Sequence, residues 1–461
     1  MSAQTPSLER LATVNRDGSR NFVHAASVRG FYTRLRGIAG VAVLAVYAAL
    51  PWIPVNGNPA LFFDIAHRQF HIFGLTLVMQ DFWLAFFLIT GLGFSLFYIT
   101  ALLGRVWCGW ACPQTIFLDI VRRIERLCEG DAVSRRRLDA LPHTFGKFIR
   151  RGAKNILYGL FAFALAHVFI SYFVSIPRLY GMVRESPLHN WSIFVFAFAM
   201  TAALWFDFSW FREQFCIVLC PYGRLQSVLL DNDSLVIGYD AARGEPRGRL
   251  NTSGAGDCVD CRRCVQVCPT GIDIRQGLQI ECIACAACID ACDSVMAKIG
   301  RARGLVRYGS SNGFAGRKTR IIRPRMALYT VLLLIGMAVM TLSMSTVRNV
   351  NMTVLRMPGA PYYLGGGEVR NQYLLRITNK ANHPQVFQVR ILPVAGLASS
   401  GTEELMKLGP EDEQIRPLVA VMPQNLFRAP FPVRIVISSG DGKFTEEQSV
   451  PFLGPQTQIT P

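Results

Sequence analysis

Two consecutive cysteine runs between Cys258 and Cys292 constrain this chain more than any other feature. Each run has the form C-x-x-C-x-x-C-x-x-x-C. This spacing is typical of chains that bind two [4Fe–4S] clusters, where three cysteines of a run hold one cluster and the fourth holds the other. Structural zinc sites instead use C-x-x-C pairs or mixed Cys/His sets, so the spacing disfavours zinc. We predict that the first cluster is bound by Cys258, Cys261, Cys264 and Cys292, and the second by Cys282, Cys285, Cys288 and Cys268.

The balance of residue types favours an integral membrane protein. Hydrophobic residues make up 51% of the 461 residues and charged residues only 17%, a charge fraction that is low for a soluble domain. The net charge of +17 would also suit a nucleic-acid-binding protein. The arginines, however, lie beside apolar runs, as they do in the cytoplasmic loops of membrane proteins. We therefore expect the membrane, and no nucleic acid, among the partners.

Five apolar runs are long enough to cross a bilayer as helices. They cover residues 37–55, 82–103, 155–175, 191–210 and 327–346. The segment between the first two runs has Arg68 as its single basic residue, whereas residues 104–154 contain eleven Lys or Arg and residues 211–326 contain seventeen. The positive-inside rule then places the N-terminus and the cysteine runs in the cytoplasm and the C-terminal part in the periplasm, across a bacterial inner membrane.

These features predict a multi-domain fold, in which an α-helical membrane bundle of five spans carries an inserted ferredoxin domain and ends in an all-β domain. In the last part of the chain hydrophobic residues alternate, as at Tyr373, Leu375 and Ile377, which favours an immunoglobulin-like sandwich. We interpret this sandwich as a docking module. The predicted divisions are a cytoplasmic basic tail at 1–36, a four-span membrane domain at 37–230, a two-cluster ferredoxin domain at 231–325, a fifth span at 326–346 and a periplasmic immunoglobulin-like domain at 347–461.

A weak internal repeat places the motif Cys-x-x-x-Cys-Pro after the second and the fourth spans, at Cys108 and Cys112 and again at Cys216 and Cys220. Cysteines four residues apart lie on one face of a helix, and the proline either opens the next helix or kinks the present one. We expect the four thiols to converge and to bind a soft metal such as Cu(I), or to cycle as dithiols. The alternative is that they only pack between helices.

The histidines are weaker candidates. His67 and His71 are four residues apart in the first outer loop, where a helix would let both bind copper or haem, or leave both in solvent. His167 lies inside the third span. A titratable group at that depth is a functional candidate, although hydrogen bonding to a neighbouring helix explains it equally simply.

Several stretches resemble the accessory proteins of cbb3-type cytochrome c oxidases, the family called CcoG, FixG or RdxA. The similarity covers nearly the whole chain and is carried by residues 68–74, 106–113, 264–275 and 281–293. Membrane ferredoxins of nitrate and nitrous oxide respiration share the cysteine runs and the paired Cys-x-x-x-Cys-Pro motifs. The C-terminal sandwich favours the oxidase family.

The resemblance implies an iron–sulfur electron-transfer protein of oxidase assembly. Its activity would be that of a cupric reductase, which converts Cu(II) to Cu(I) for delivery to the oxidase. Oxidase subunits or copper-delivery proteins would be partners, a cytosolic donor would supply electrons, and copper would bind at or near Cys108, Cys112, Cys216 and Cys220. Two other hypotheses remain open at this point: an electron relay serving a quinone pool or a respiratory reductase, and a non-enzymatic assembly scaffold.

Overall fold

The computed structural model describes residues 22–65, 67–78, 81, 83–142, 144–250, 252–345, 350–381, 383–410, 412–440, 442 and 444–455. Most of the predicted N-terminal tail and the last residue of the fifth predicted span lie outside these residues. The chain forms two compact units. The first contains the chain up to Ile53 together with Ala85–Met340, and the second contains Pro54–Leu84 together with the chain from Thr341 onwards.

The helices and strands are numbered in chain order. The helices are α1 Phe31–Ala49, α2 Trp83–Leu103, α3 Val106–Trp110, α4 Pro113–Glu129, α5 Ala132–Ala140, α6 Phe145–Ile170, α7 Ile176–Arg184, α8 Trp191–Phe206, α9 Pro221–Leu229, α10 Ala241–Gly244, α11 Arg263–Gln266, α12 Ala287–Lys298, α13 Ser311–Phe314 and α14 Pro324–Ser345. The strands are β1 Pro54–Val55, β2 Asn58–Pro59, β3 Leu61–Asp64, β4 Gln69–Ile72, β5 Leu75–Val78, β6 Val236–Tyr239, β7 Val306–Gly309, β8 Val350–Arg356, β9 Tyr363–Gly365, β10 Glu368–Asn379, β11 Gln385–Ile391, β12 Ala398–Ser400, β13 Met406–Leu408, β14 Glu413–Pro423, β15 Phe431–Ser439 and β16 Thr445–Phe452.

Among the described residues, five helical segments are long and apolar enough to cross a membrane, which confirms the predicted number of spans. They are Phe31–Trp52, Trp83–Leu103, Phe145–Ile170, Trp191–Phe211 and Pro324–Ser345. The first and third begin earlier than residues 37 and 155, where hydropathy placed them. Charged side chains near the start of these two helices have partners. Arg36 pairs with Asp119 of α4, and Lys147 donates to the Asp139 and Leu141 carbonyl oxygens. The helical backbone therefore continues through charges that end an apolar run.

A small cluster domain follows α9 within the first unit. Strands β6 and β7 pair in antiparallel fashion, with Val236 opposite Gly309 and Tyr239 opposite Val306. The two cysteine runs lie between these strands in the sequence, and α11 and α12 each follow the tight loop of one run. Ile237, Ile289 and Met296 are buried in the core of this domain.

The carboxylate of Asp290, from α12, caps the first turn of α1. It accepts hydrogen bonds from the Tyr32 and Thr33 backbone N–H groups at 3.2 and 2.7 Å and from the Thr33 hydroxyl at 2.6 Å. A Cβ atom at Gly30 would lie 2.2 Å from this carboxyl group, so the close approach requires glycine. An acidic group here satisfies free N–H donors and interacts favourably with the helix dipole. The first span is thus joined directly to the cluster domain.

The second unit contains the predicted immunoglobulin-like sandwich. One sheet has the order β12-β14-β10-β8, with β9 also paired to β10, and the other has the order β13-β11-β15-β16. Alternate residues face inward, and Leu375, Ile377 and Phe387 are completely buried. Strands β3, β4 and β5 of the same unit form a separate antiparallel sheet. The Lys380 ammonium lies 2.5 Å from the Asp81 carboxylate, so an ion pair joins the two parts of the unit.

Candidate iron–sulfur and thiol centres

The predicted cluster cysteines line cavities inside the cluster domain. A first cavity is lined by Cys258, Cys261 and Cys264 of the first run and by Cys292 of the second run. A second cavity is lined by Cys282, Cys285 and Cys288 of the second run and by Cys268 of the first run, and Cys264 lines this cavity as well. The predicted cluster ligands therefore lie around two neighbouring cavities, with Cys264 shared between them. Sulfur ligands and apolar walls that include Ile237 and Leu305 fit a [4Fe–4S] group in each cavity.

The loops of both runs turn in the same way. Asp260 and Arg262 in the first run have φ angles of 49° and 53°, and Ala284 and Ala286, at the same two positions of the second run, have φ angles of 52° and 60°. Left-handed backbone is unfavourable for residues with a Cβ atom and is found at ligand clamps. Successive N–H groups in such turns form concave sites for anions. The repeated conformation therefore suits loops that surround a negatively charged cluster.

Burial raises the pKa of the thiols in these cavities. The pKa of Cys264 is raised to about 11, and that of Cys282 and Cys292 to about 12. A free thiol here is neutral at pH 7, whereas a thiol bound to a metal is deprotonated. The cavities therefore release protons when they take up iron.

The paired Cys-x-x-x-Cys-Pro motifs have the same local structure at both positions. Cys108 lies in the short helix α3 and Cys216 in a π-helical turn at Phe215–Leu219, while Cys112 and Cys220 are the N-cap residues of α4 and α9. The two cysteines of each pair therefore belong to different helical segments rather than to one helix face, and of the two roles considered for the proline the structure shows the opening of a new helix. Proline lacks an N–H group and favours the first position of a helix, so it starts a new helix after the second cysteine.

These four cysteines, which we call the thiol centre, lie near enough to influence one another electrostatically, although among the described residues no three of them are placed to hold one metal ion as they stand. Burial raises the pKa of Cys108 to about 12, and negative charge on Cys112 and Cys220 contributes to the increase. The pKa of Cys216 rises for the same reasons, first burial and then the charges of Cys112, Cys108 and Cys220. The guanidinium of Arg105 lowers the pKa of Cys108, but burial outweighs this effect.

Two buried polar residues near the thiol centre were not anticipated from the sequence: Gln226 contacts one of its sulfur atoms, and Arg105 bonds to the backbone beside it. The fully buried Gln226 donates from its amide nitrogen to the Cys108 sulfur at 3.4 Å. Arg105 is also buried, and its guanidinium donates to the carbonyl oxygens of Cys282 at 3.3 Å and Gly223 at 3.2 Å. Arg105 therefore connects α9 of the membrane domain to a cysteine of the second cavity. Arg105 could have been singled out from the sequence, because it is a basic residue at the end of a span and lies three positions before Cys108.

The thiol centre lies directly against the loop of the second cavity. A Cβ atom at Gly109 would lie 2.6 Å from the Ile283 carbonyl oxygen and 2.8 Å from that of Ala284. Next to it, the Trp110 indole N–H donates to the Tyr308 hydroxyl, which donates to the Ala284 carbonyl oxygen at 2.7 Å. The residue after Cys108 thus contacts the backbone between two cysteines of the second cavity. Electrons from a group in this cavity would have a short route to the thiol centre.

A buried ionic network joins the two motifs that form the thiol centre, the Cys108–Cys112 motif and the Cys216–Cys220 motif. Glu125 of α4 accepts from Arg212 at 2.6 Å and from Arg135 at 2.5 Å. Burial alone would raise the pKa of Glu125, but the two arginines reverse this effect and hold it at about 2. Arg122 of α4 also pairs with Glu213 at 2.7 Å. Because α4 follows Cys112 and the Arg212–Glu213 segment precedes Cys216, the network fixes one motif against the other.

The histidine candidates do not form a site together. Leu61–Asp64, Gln69–Ile72 and Leu75–Val78 form the β3-β4-β5 sheet, and His71 lies on its central strand, so the helical spacing predicted for His67 and His71 is wrong. His67 is exposed and pairs with Asp64 at 2.7 Å. His71 is buried on β4 and lies 3.1 Å from the Thr76 hydroxyl oxygen. In the third span, the His167 Nδ1 atom lies 2.9 Å from the Phe163 carbonyl oxygen of its own helix α6, whereas a hydrogen bond to a neighbouring helix was the simple alternative considered from the sequence.

Comparisons with known proteins agree with this geometry. A family model described as a 4Fe-4S dicluster domain matches residues 211–311, and one described as a 4Fe-4S binding domain matches residues 82–137. A third, described as an IG-like fold at the C-terminal of FixG, putative oxidoreductase, matches residues 340–455. The protein is therefore a multi-pass membrane protein of iron–sulfur electron transfer.

The relatives define the family. The chain is 35% identical over 376 residues to Protein RdxA of Cereibacter sphaeroides, covering 77% of this chain and 79% of RdxA. It is 38% identical over 310 residues to the nitrogen fixation protein FixG of Rhizobium meliloti, covering 64% of this chain but only 58% of FixG. A crystal structure of a FixG-related protein from Vibrio parahaemolyticus shares 21% identity, with a TM-score of 0.21 over 23% of this chain and 97% of that chain. The chain belongs to the FixG/RdxA family.

Proposed function

We propose that the protein is a cupric reductase that supplies Cu(I) for the assembly of a cbb3-type cytochrome oxidase. A cytosolic one-electron donor provides the electrons, and each electron converts one Cu(II) to one Cu(I). The observation that carries this proposal is the contact of Gly109 and Arg105 with the loop at residues 282–285. It sets four sulfur atoms, a ligand set suited to copper, beside a cavity lined by the predicted cluster cysteines.

In this mechanism the clusters supply single electrons when bound, held by the eight cysteines of the two cavities. The thiol centre binds the copper substrate, and soft sulfur ligands stabilise Cu(I) relative to Cu(II). The raised pKa of Cys108 means that copper displaces a proton from its thiol. The Gln226 amide then donates to the Cys108 sulfur and fixes its orientation. The four cysteines are half-buried, so the protein shields a bound ion only partly from water.

The test uses the double variant Cys108→Ser with Cys216→Ser. Purified protein is reduced anaerobically and Cu(II) is added while cluster absorbance and Cu(I) formation are followed. The variant is expected to keep the iron content of the parent, because these cysteines line neither cavity, and to lose copper-dependent reoxidation together with copper affinity. A variant that binds and reduces copper like the parent would show that copper reacts elsewhere. Cys128→Ser, on α4 outside both kinds of centre, is the matched control.

A second candidate function for the thiol centre rests on a specific observation. The 4Fe-4S binding domain that matches residues 82–137 contains Cys108 and Cys112 but neither cysteine run. The four thiols would then hold a further cluster, and the protein would be an electron relay without a copper site. Iron content separates the two candidates, because two clusters contain roughly eight irons and three contain roughly twelve. Only in the second case does the double variant lose about a third of the iron.

We further propose that the cluster domain is cytoplasmic and that the immunoglobulin-like domain is periplasmic, where it docks oxidase subunits or copper-delivery proteins. The excess of Lys and Arg in residues 104–154 and 211–326 supports this orientation. A reporter that is active only in the periplasm is expected to be active when fused after Pro461 and silent when fused near Arg135. The reverse pattern would place the clusters outside and remove the reducing cytosol as their electron source.

A further inference from the structure

A groove beside α1 combines three arginines with an apolar helix face. Arg29 precedes the helix, Arg34 lies in its first turn, and Arg123 reaches the groove from α4. A Cβ atom at Gly37 would lie 3.6 Å from a guanidinium nitrogen of Arg123, so this side chain lies against α1. The three positive charges are therefore gathered at one end of a membrane-spanning helix.

These arginines differ from their neighbours in the part of the chain that the structure describes. Arg36 pairs with Asp119, Arg122 with Glu213 and Arg135 with Glu125. Arg29, Arg34 and Arg123 have no carboxylate partner among the described residues. Clustered guanidinium groups without acidic partners form a site for a phosphate, to which arginine binds through two parallel hydrogen bonds.

The rest of the groove is apolar. Ile38 and Val41 line it and are 67% and 61% exposed. Arg34, Ile38 and Val41 follow the i, i+4, i+7 spacing of one helix face. With a rise of 1.5 Å per residue, Val41 lies about 10 Å further into the membrane than Arg34. The groove thus has a cationic end at the membrane surface and an apolar end at acyl-chain depth.

We propose that this groove is a binding site for one anionic phospholipid, such as phosphatidylglycerol. The headgroup phosphate binds Arg29, Arg34 and Arg123, and an acyl chain lies along Ile38 and Val41. Basic pockets next to transmembrane helices recognise anionic lipid headgroups in this way. A soluble phosphate compound would use the arginines alone and leave the apolar face uncovered.

The test measures binding of phosphatidylglycerol to the purified full-length protein in detergent by native mass spectrometry, with phosphatidylcholine for comparison. The groove variant carries Arg29→Gln, Arg34→Gln and Arg123→Gln. Each basic side chain near a membrane surface contributes about 1 kcal/mol, and 1.4 kcal/mol is a tenfold change, so phosphatidylglycerol affinity should fall roughly 100-fold. The control carries Arg136→Gln, Arg137→Gln and Arg150→Gln, which removes the same charge from exposed positions of α5 and α6. Unchanged binding by the groove variant, or an equal loss in the control, overturns the proposal.

Two further arms test the lipid assignment. Ala42→Trp fills the apolar part of the groove while keeping the three arginines, and it should weaken phosphatidylglycerol binding at least tenfold. Inorganic phosphate at the lipid's concentration should not displace the lipid. Displacement by phosphate, or unchanged binding by the tryptophan variant, would show that the acyl chain contributes nothing and would overturn the assignment. Iron content equal to the parent verifies that each variant is folded.

Discussion

The two cavities and the thiol centre are both built from cysteines, but the chain assembles them in different ways. Each cavity takes three of its cysteines from one short loop, which left-handed residues such as Asp260 and Ala284 turn at matching positions. The thiol centre takes its halves from motifs separated by the third and fourth spans, and Glu125 and Arg212 fix these halves together. Cluster binding is therefore largely a local property, whereas the thiol centre depends on packing of the membrane domain. A substitution that abolishes cluster binding should therefore leave copper binding at the thiol centre intact, and the reverse should also hold.

The largest effect is expected from Cys264→Ser, which removes a predicted cluster ligand from one of the locally built cysteine loops. Cys264 lines both cavities. Serine is a poor substitute for a thiolate ligand, so iron should fall from roughly eight to about four per chain or lower. Iron analysis and EPR spectroscopy of the reduced, anaerobically purified protein measure this loss, with Cys128→Ser as control. Full iron in the serine variant, or zinc in place of iron in the parent, would contradict the cluster assignment.

The next largest effect is expected from Arg212→Leu, which breaks the buried ion pair that holds the two motifs of the thiol centre together. Arg212 is buried against Glu125, and removing one partner of a buried ion pair destabilises a protein by about 3–5 kcal/mol. We expect a lower thermal unfolding temperature and weaker copper binding with little loss of iron, because Arg212 lines neither cavity.

Arg136→Leu is the matched control for this variant. It removes the same charge from an exposed position of α5 and should change stability by less than about 0.5 kcal/mol. If Arg212→Leu releases iron and copper in equal measure, the two kinds of centre are not independent and the comparison fails.

The same contrast explains what the sequence could predict. The predicted partition of the eight cluster cysteines rests on spacing, because three cysteines of each set belong to one short run. The sandwich was predictable for a similar reason, since inward-facing positions such as Leu375 and Phe387 alternate along single strands. Convergence of the thiol centre was predictable from the repeat, but its surroundings were not. Gln226 contacts Cys108 from 118 positions away, and Arg105, close to Cys108 in sequence, finds its carbonyl acceptors on Gly223 and Cys282, 118 and 177 positions away.

Two predictions made from the sequence were wrong because a local pattern was read without the contacts that decide the structure. The helix predicted around His67 and His71 rested on a four-residue spacing, which a turn followed by a strand also satisfies. The first span was placed too late because Arg34 and Arg36 interrupt the apolar run, although the helix begins at Phe31. In that turn Asp290, more than 250 residues away, supplies the capping group. No local pattern contains that information.

The smallest effect is expected from Gln226→Leu, which separates positioning of a ligand from its presence. Gln226 is fully buried, and its amide donates to the Cys108 sulfur at 3.4 Å. A donor to a metal-bound sulfur stabilises the thiolate and orients it, and loss of such a contact weakens metal binding by about tenfold or more. Leucine keeps most of the volume, so all four thiols and the cluster iron should remain.

Competitive titration with a Cu(I) chelator should show about tenfold weaker copper binding by Gln226→Leu, whereas Gln266→Leu, at an exposed position of α11, should bind copper like the parent. Equal copper affinity in the two variants would mean that Gln226 only fills space beside Cys108, and that the thiol centre needs no support beyond the ionic network of Glu125 and Arg212.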